Sequence, residues 1–419
     1  MPNNKSLLVV AYHFPPVLVS SGIQRTLKFC TYLRDRGWQP VVLTISPKAY
    51  ESTSADQLKE VPADVVVERA FGLDTSRHLA IAGRYFRWMA QPDRWISWWP
   101  AGVWTGMKMI RRYQPAAILS TSPIATAHLI GLSLCKRSGL PWIADFRDSM
   151  TEPGYPRDPM TWKVHRKLER ETVHRCSKAV FTTEPTREMY AERYPDIPAS
   201  RWAVIENGYD EENFRTAEAN LADTPRRRPG QITLVHSGTL YPKERDPLPF
   251  FTALGMLKRS GDIDSARLQI ILRATGSDDL YRPIIAELGI DDIVKLEPVI
   301  SYRQALQEML QADGLLLFQA SCCNHQIPAK IYEYYRSGRP ILALVDPDGI
   351  SASMLGAAKV DDLANIADPG NIAQTTRSFL AKLADGRSHG VSRQFAMMQS
   401  RESRTDELAR LLDDVVGRQ

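Results

Sequence analysis

The chain has 419 residues, too many for one ordinary α/β domain and right for two of about 200 each. Hydrophobic residues make up 43% and charged residues 24%, a globular balance that can fill two cores, and no stretch approaches the ~20 apolar residues of a membrane span. The net charge of +5 is spread widely, which excludes the basic stripe of a dedicated nucleic-acid binder and leaves contact with an anionic membrane surface open.

Taken in order, Ser6–Tyr12 reads as a buried strand, and a loop with Pro15, Pro16 and Gly22 follows. Ile23–Arg36 reads as a helix, with Ile23, Leu27, Cys30 and Leu33 at helical spacing and Gly37 as its stop. Strands are expected at Pro40–Ser46, Val65–Phe71, Ala116–Thr121, Pro141–Asp145, Lys178–Thr183 and Trp202–Glu206, with helical segments between most of them. Residues 215–230 break this rhythm with Pro225, Arg226-Arg227-Arg228, Pro229 and Gly230, and read as a solvated linker. The alternation then restarts: strands at Ile232–Gly238, Leu268–Leu272, Val294–Val299, Leu315–Gln319 and Pro340–Val345, helices at Pro249–Lys258, Leu280–Leu288, Tyr302–Ala312 and Ile327–Ser337. Strands that are apolar throughout and alternate with helices predict parallel sheets covered on both faces. The expected organisation is a first Rossmann-like domain over 1–214, a linker over 215–230, a second over 231–390, and an amphipathic helix within 391–419 that returns to the first domain.

Cys30, Cys135, Cys176, Cys322 and Cys323 are odd in number and none has metal-ligand spacing, which suits a reducing compartment and points to no zinc site or disulfide framework. The apolar run Leu7–Ala11 is too short for a signal-peptide core, so a cytoplasmic protein is expected.

Open α/β sheets bind ligands beyond the carboxyl ends of their strands, where helix N-termini point. Three loops fit that rule. His13 through Gly22 leads into a helix, and Gly22 would let a phosphate approach the backbone; the sequence is not a dinucleotide fingerprint, and an ordinary connecting loop has the same composition. In Ser237–Pro247, Lys243 or Arg245 could meet a pyrophosphate or simply be solvated. In Asn324–Pro340, Lys330 sits in the first turn of a helix, where a cation opposes the dipole unless an anion is bound; Glu333, one turn on, could accept from a ribose or form a surface ion pair with Lys330.

The chain resembles the retaining glycosyltransferases of family 4, with the GT-B architecture of two Rossmann-like doubly wound domains facing across a cleft. The resemblance rests on Phe14-Pro15-Pro16 and Gly22-Ile23-Gln24-Arg25, on Ala144-Asp145-Phe146-Arg147-Asp148, on Glu206-Asn207-Gly208, on Gly238-Thr239-Leu240-Tyr241 with Arg245-Asp246-Pro247, and on Ile327–Pro340, in the family's order. It implies a nucleotide-diphosphate sugar as donor, held by Gly22, Gly238, Thr239, Lys243, Arg245, His325, Ile327, Lys330 and Glu333. Arg245, Lys330 and Asp148 are the implied catalytic candidates, and Trp95, Trp98 and Arg147 lie on the acceptor side. No metal and no cofactor are expected, because protein cations and helix dipoles take that role. The implied acceptor is a saccharide or a lipid-linked sugar, in envelope or exopolysaccharide assembly, at the inner face of the membrane.

Three positions depart from the family. His325 stands where a glutamate is usual, Thr239 where an arginine is frequent, and Arg147 where some members carry histidine. These leave the donor sugar open, and with it a sugar-nucleotide 2-epimerase or a non-catalytic partner of an active transferase as alternatives. Asp145 reads equally as a strand-end cap or a reacting group. Trp88, Trp95, Trp98, Trp99 and Trp104, among Arg84, Arg87, Arg94 and Lys108, read as a membrane interface, a sugar-stacking surface or the packing of an insertion.

Overall fold

The structure, a computed structural model, describes residues 5–18, 22–54, 58–221, 230–242 and 244–417. Lys243 and the run Arg226–Arg228 lie outside the described residues. The chain divides into two compact units: one takes residues up to Asn207 together with the chain from Arg401 on, and the other is Gly208–Ser400.

The first unit is built on β1 (Lys5–Ala11), β2 (Trp38–Ile45), β3 (Val66–Ala70), β4 (Ala117–Thr121), β5 (Trp142–Phe146), β6 (Lys178–Phe181) and β7 (Trp202–Val204), in the order β3-β2-β1-β4-β5-β6-β7. Every pairing is parallel. Leu7 of β1 lies opposite Pro40 on one side and Ala117 on the other, so β1 is flanked by strands and, from Leu7 to Ala11, wholly buried. Such a strand needs an unbroken apolar run, which Leu-Leu-Val-Val-Ala supplies. The order reverses at β1 and β4, so the loops after them open at the ligand end of the sheet.

The second unit repeats the plan with β8 (Ile232–Ser237), β9 (Leu268–Arg273), β10 (Val294–Glu297), β11 (Gly314–Gln319), β12 (Ile341–Val345) and β13 (Leu363–Asn365), ordered β10-β9-β8-β11-β12-β13 and parallel throughout. Its reversal lies between β8 and β11. The loops after those two strands carry the residues singled out above.

The structure adjusts several expectations. The first helix is α-helical over Gly22–Tyr32 and tightens to a 3₁₀ turn over Leu33–Arg36, closed by Gly37 at φ 77°. The helix expected from Ile327 begins at Lys330, after a turn in which Ile331 N–H reaches the Pro328 carbonyl at 3.0 Å. Gly208–Leu221, expected to end one domain and open a linker, packs in the second unit: Asp210 caps the helix Glu211–Ala219, and Arg336 pairs with Glu211 at 2.7 Å and Glu218 at 2.8 Å. The single tail helix is two, Arg393–Met398 in the second unit and Arg401–Gly417 in the first, the latter burying Leu408, Leu412 and Val415 in that unit's core.

Candidate active site

In the second unit, four segments converge at the carboxyl ends of β8 and β11. Gly238 follows β8 with φ 122°, a conformation that side chains rarely adopt, and a Cβ there would lie 3.0 Å from the Lys330 ammonium. The dihedral calls for glycine, and a Cβ would in addition crowd the end of the Lys330 side chain. Gly238→Ala is therefore expected to cost about 1–3 kcal/mol in thermal unfolding and to displace Lys330.

Lys330 Nζ lies 3.0 Å from His236 Nε2, and His236 Nδ1 lies 2.9 Å from the Leu316 carbonyl. That carbonyl only accepts, so the imidazole carries its proton on Nδ1 and offers Nε2 to the ammonium. Burial, with Lys330 adding to it, holds His236 well below its ordinary pKa and thus neutral. Burial also lowers Lys330 from 10.5 to about 7, with Arg245 adding and Glu333 opposing.

Arg245 is tied by Nη1 to the Thr239 carbonyl at 3.3 Å, and its Nε is buried without a partner. The neighbouring Glu244 carbonyl accepts from Ala320 N–H at 2.9 Å, which pins the Arg245 loop to the segment after β11. Among the described residues neither Lys330 nor Arg245 has a carboxylate within 4.0 Å. Partly buried cations without counter-charges are costly, and an anion between them would offset that cost. Glu333 accepts from Tyr302 Oη at 2.6 Å rather than pairing with Lys330. Asn324 bonds Asp346 at 3.0 Å and its carbonyl takes Ile350 N–H at 3.0 Å, so the loop bearing His325 is anchored to the helix Ile350–Ala357. Ile327 is buried. Among the described residues no three metal-ligating side chains come together.

The first unit holds a second cationic spot. Arg147, after β5, donates from Nη1 to the Gly22 carbonyl at 2.9 Å, and its Nε is buried without a partner. A Cβ on Gly22 would lie 3.2 Å from both terminal guanidinium nitrogens and 3.5 Å from His13 Nδ1. Burial, then Arg147, lowers the His13 pKa to about 4, so the imidazole is neutral. Asp148 is exposed beside Arg147. Asp145 instead takes Arg25 in a two-pronged pair at 2.8 and 3.2 Å and the Thr121 hydroxyl at 2.8 Å, all buried. Trp95 is partly buried, its ring 4.4 Å from that of Tyr12 and under Arg94. Trp98 is fully buried, with its indole against Gly102; it is a core residue rather than an acceptor-facing one.

Residues 22–213 match the model described as Glycosyltransferase Family 4. The fold is similar to that of the sucrose-phosphate synthase of Thermosynechococcus elongatus, with a TM-score of 0.69 at 13% identity, over 99% of this chain and 100% of that one. Residues 22–213 thus match glycosyltransferase family 4, and the chain as a whole has the GT-B fold. The glycosyltransferase is similar in fold also to the UDP-forming α,α-trehalose-phosphate synthase of Burkholderia xenovorans solved with glucose-6-phosphate, at TM-score 0.68 and 11% identity over 98% of this chain and 100% of that one. It further resembles HepE of Anabaena solved with UDP, at TM-score 0.63 and 14% identity over 98% and 100%. No curated protein sequence matches it. Two residues of the glycosyltransferase's site escaped the sequence reading. His236 shows only as one of three polar residues in its strand, with Thr233 and Ser237, and Tyr302 only as the first residue of a helix.

Proposed function

We propose that the enzyme transfers a sugar from a nucleotide-diphosphate sugar, held on its second unit, to a saccharide or lipid-linked acceptor on its first. The observation that carries this reading is the pair of part-buried cations, Lys330 and Arg245, with no carboxylate partner among the described residues, beside the open backbone of Gly238. Lys330 and Arg245 hold the diphosphate, with Lys243 as a further donor-side cation. Thr239, Ile327 and His325 line the donor, and Glu333 accepts from its ribose hydroxyls. In the reaction the bond from the anomeric carbon to the leaving phosphate oxygen breaks. The bond to the acceptor oxygen forms, and the acceptor's hydroxyl proton passes to the departing diphosphate. Charge grows on the diphosphate as it leaves, where Lys330 and Arg245 are preorganised to meet it. Retention of configuration and a place in envelope or exopolysaccharide assembly at the inner membrane face complete the proposal.

Arg147, with Gly22 and His13, offers an anion seat on the acceptor side, and Asp148 is the exposed carboxylate beside it. The UDP of Anabaena HepE and the UDP-forming trehalose-phosphate synthase make uridine donors the first to try.

The test is thermal stabilisation by a panel of nucleoside diphosphates, their sugars and inorganic pyrophosphate. A donor at a hundred times its Kd is expected to add about 2.7 kcal/mol. Glu333→Ala should weaken the nucleotides and leave pyrophosphate unchanged. No stabilisation by any of them would overturn the donor site and favour a non-catalytic partner; conversion of the donor without acceptor would favour the epimerase.

A further inference from the structure

Between β3 and the helix Trp98–Tyr113 the chain runs out to a tight hairpin. Ile81 and Arg84 exchange both backbone hydrogen bonds, at 2.8 and 3.0 Å, across Ala82 and Gly83, whose φ angles are 50° and 74°. Two left-handed residues make the short turn that matches strand twist. The hairpin and the turn after it hold large apolar side chains in water: Ile81 is 84% exposed, Phe86 72% and Trp88 66%, and the last two rings stack at 6.4 Å. Arg87 pairs with Asp158, and Gln91 donates to Thr161 at 2.8 Å. These bonds join the strip to the start of the helix Pro159–Arg175, where Tyr155, Met160 and Trp162 are also exposed. Contiguous exposed apolar surface of this kind marks an interaction site.

The charge pattern selects the partner. Residues 75–92 contain Arg77, Arg84 and Arg87 and no Asp or Glu. Residues 152–168 contain Arg157, Lys163, Arg166 and Lys167 against two acids: Asp158, engaged as helix cap and as the partner of Arg87, and Glu152, whose carboxylate takes the Ser149 hydroxyl. Aromatic rings with Arg and Lys around them, and almost no carboxylate, suit the headgroup boundary of an anionic bilayer, where rings reach the acyl region and cations meet phosphates. A second copy of this chain would set Arg84 and its neighbours against their own like. Among the described residues no helix is long and apolar enough to cross a membrane, so the contact is a docking one.

We propose that the Ile81–Trp88 segment, with Tyr155–Trp162 beside it, docks the protein on an anionic lipid bilayer. This deepens the membrane-facing part of the proposed function, and its test needs neither donor nor acceptor. The full chain is sedimented with vesicles of phosphatidylcholine alone and with vesicles in which about a third is phosphatidylglycerol. At low salt the anionic vesicles are expected to bind at least about tenfold more protein, with the difference shrinking at high salt. Phe86→Ser with Trp88→Ser, and separately Arg84→Glu, should each reduce binding about tenfold or more. The thermal midpoint and the stabilisation by nucleotide should not change, because these side chains are in water. Ile81→Asn, at the hairpin tip, serves as an independent variant if the double one loses stability. No binding to anionic vesicles, binding indifferent to these substitutions, or a protein self-association that the substitutions abolish would each overturn the proposal. A nucleotide shift without vesicle binding would leave the donor reading standing and remove this one.

Discussion

Lys330→Ala is expected to lower kcat/KM by about 10²–10³, the usual loss when one preorganised donor to a developing charge is removed. His236 sets the position of the Lys330 ammonium. That imidazole is neutral and presents Nε2 to the ammonium at 3.0 Å, so it positions Lys330 without neutralising it. Nor does Glu333 neutralise it, since its carboxylate is engaged by Tyr302. On the proposed reading the ammonium's charge is left for the diphosphate. Lys330→Arg should rescue little, because Gly238 leaves a slot that a Cβ would already fill to 3.0 Å from Nζ, too close for a planar guanidinium. Steady-state kinetics with saturating acceptor read the loss, and a fall of less than about threefold would remove Lys330 from the reaction.

The same residue should make donor binding depend on pH. In the ligand-free protein Lys330 titrates at about 7, and a bound diphosphate favours its cation and raises that value. Above pH 7 the donor must bind together with a proton. Affinity should therefore fall with rising pH, by up to about tenfold per unit, and Lys330→Ala should flatten the slope. Stability of the ligand-free protein runs the other way. The folded pKa of about 7 lies below the ordinary 10.5. Between those values the unfolded chain holds a proton that the folded one lacks, so stability rises with pH across that window. Isothermal titration in buffers of different ionisation heat counts the proton directly.

What could be read from the sequence is what local chemistry decides. The runs around Leu7–Ala11 and Leu315–Phe318 lie in the middle of their sheets, and a strand covered on both faces has no polar alternation to blur it. Lys330 and Glu333 were legible because a cation in a first helical turn is a local conflict. His236 was not, since the partner that gives it meaning stands 94 residues away. The tryptophans divide in the same way. Trp98 and Trp88 sit in similar company in the chain, yet Trp98 is buried, with Gly102 leaving room for its indole and Gly72 for its Cβ, and Trp88 is exposed. β13, at three residues, is too short for any period to show.

Asp145→Ala is expected to cost about 3–5 kcal/mol, the penalty for leaving a buried charge without its partner, and to lower Tm by roughly 6–20 °C. Burial alone would raise the Asp145 pKa; Arg25 and the Thr121 hydroxyl overcome it and hold the carboxyl below its ordinary value. Arg25 in turn donates to the carbonyls of Ile205 and Glu206, each at 2.8 Å. One guanidinium thus fastens the first helix, the end of β5 and the segment after β7 together, 120 and 180 residues apart in the chain. Asp145 takes three hydrogen bonds inside the core, one on Oδ1 and two on Oδ2, and is buried, so its carboxylate serves the fold before any substrate. The stabilisation it brings is present above the ordinary carboxylate range and is lost on acidification through its lowered value. Arg25→Met with Asp145→Leu should recover only part of the loss, because removing the pair also abandons the two carbonyls. Thermal unfolding of the three variants decides the role. An Asp145→Ala protein that keeps its Tm but loses activity would make Asp145 a reacting group, whereas one that unfolds early and retains its nucleotide shift below its Tm would make it the clasp of the first unit.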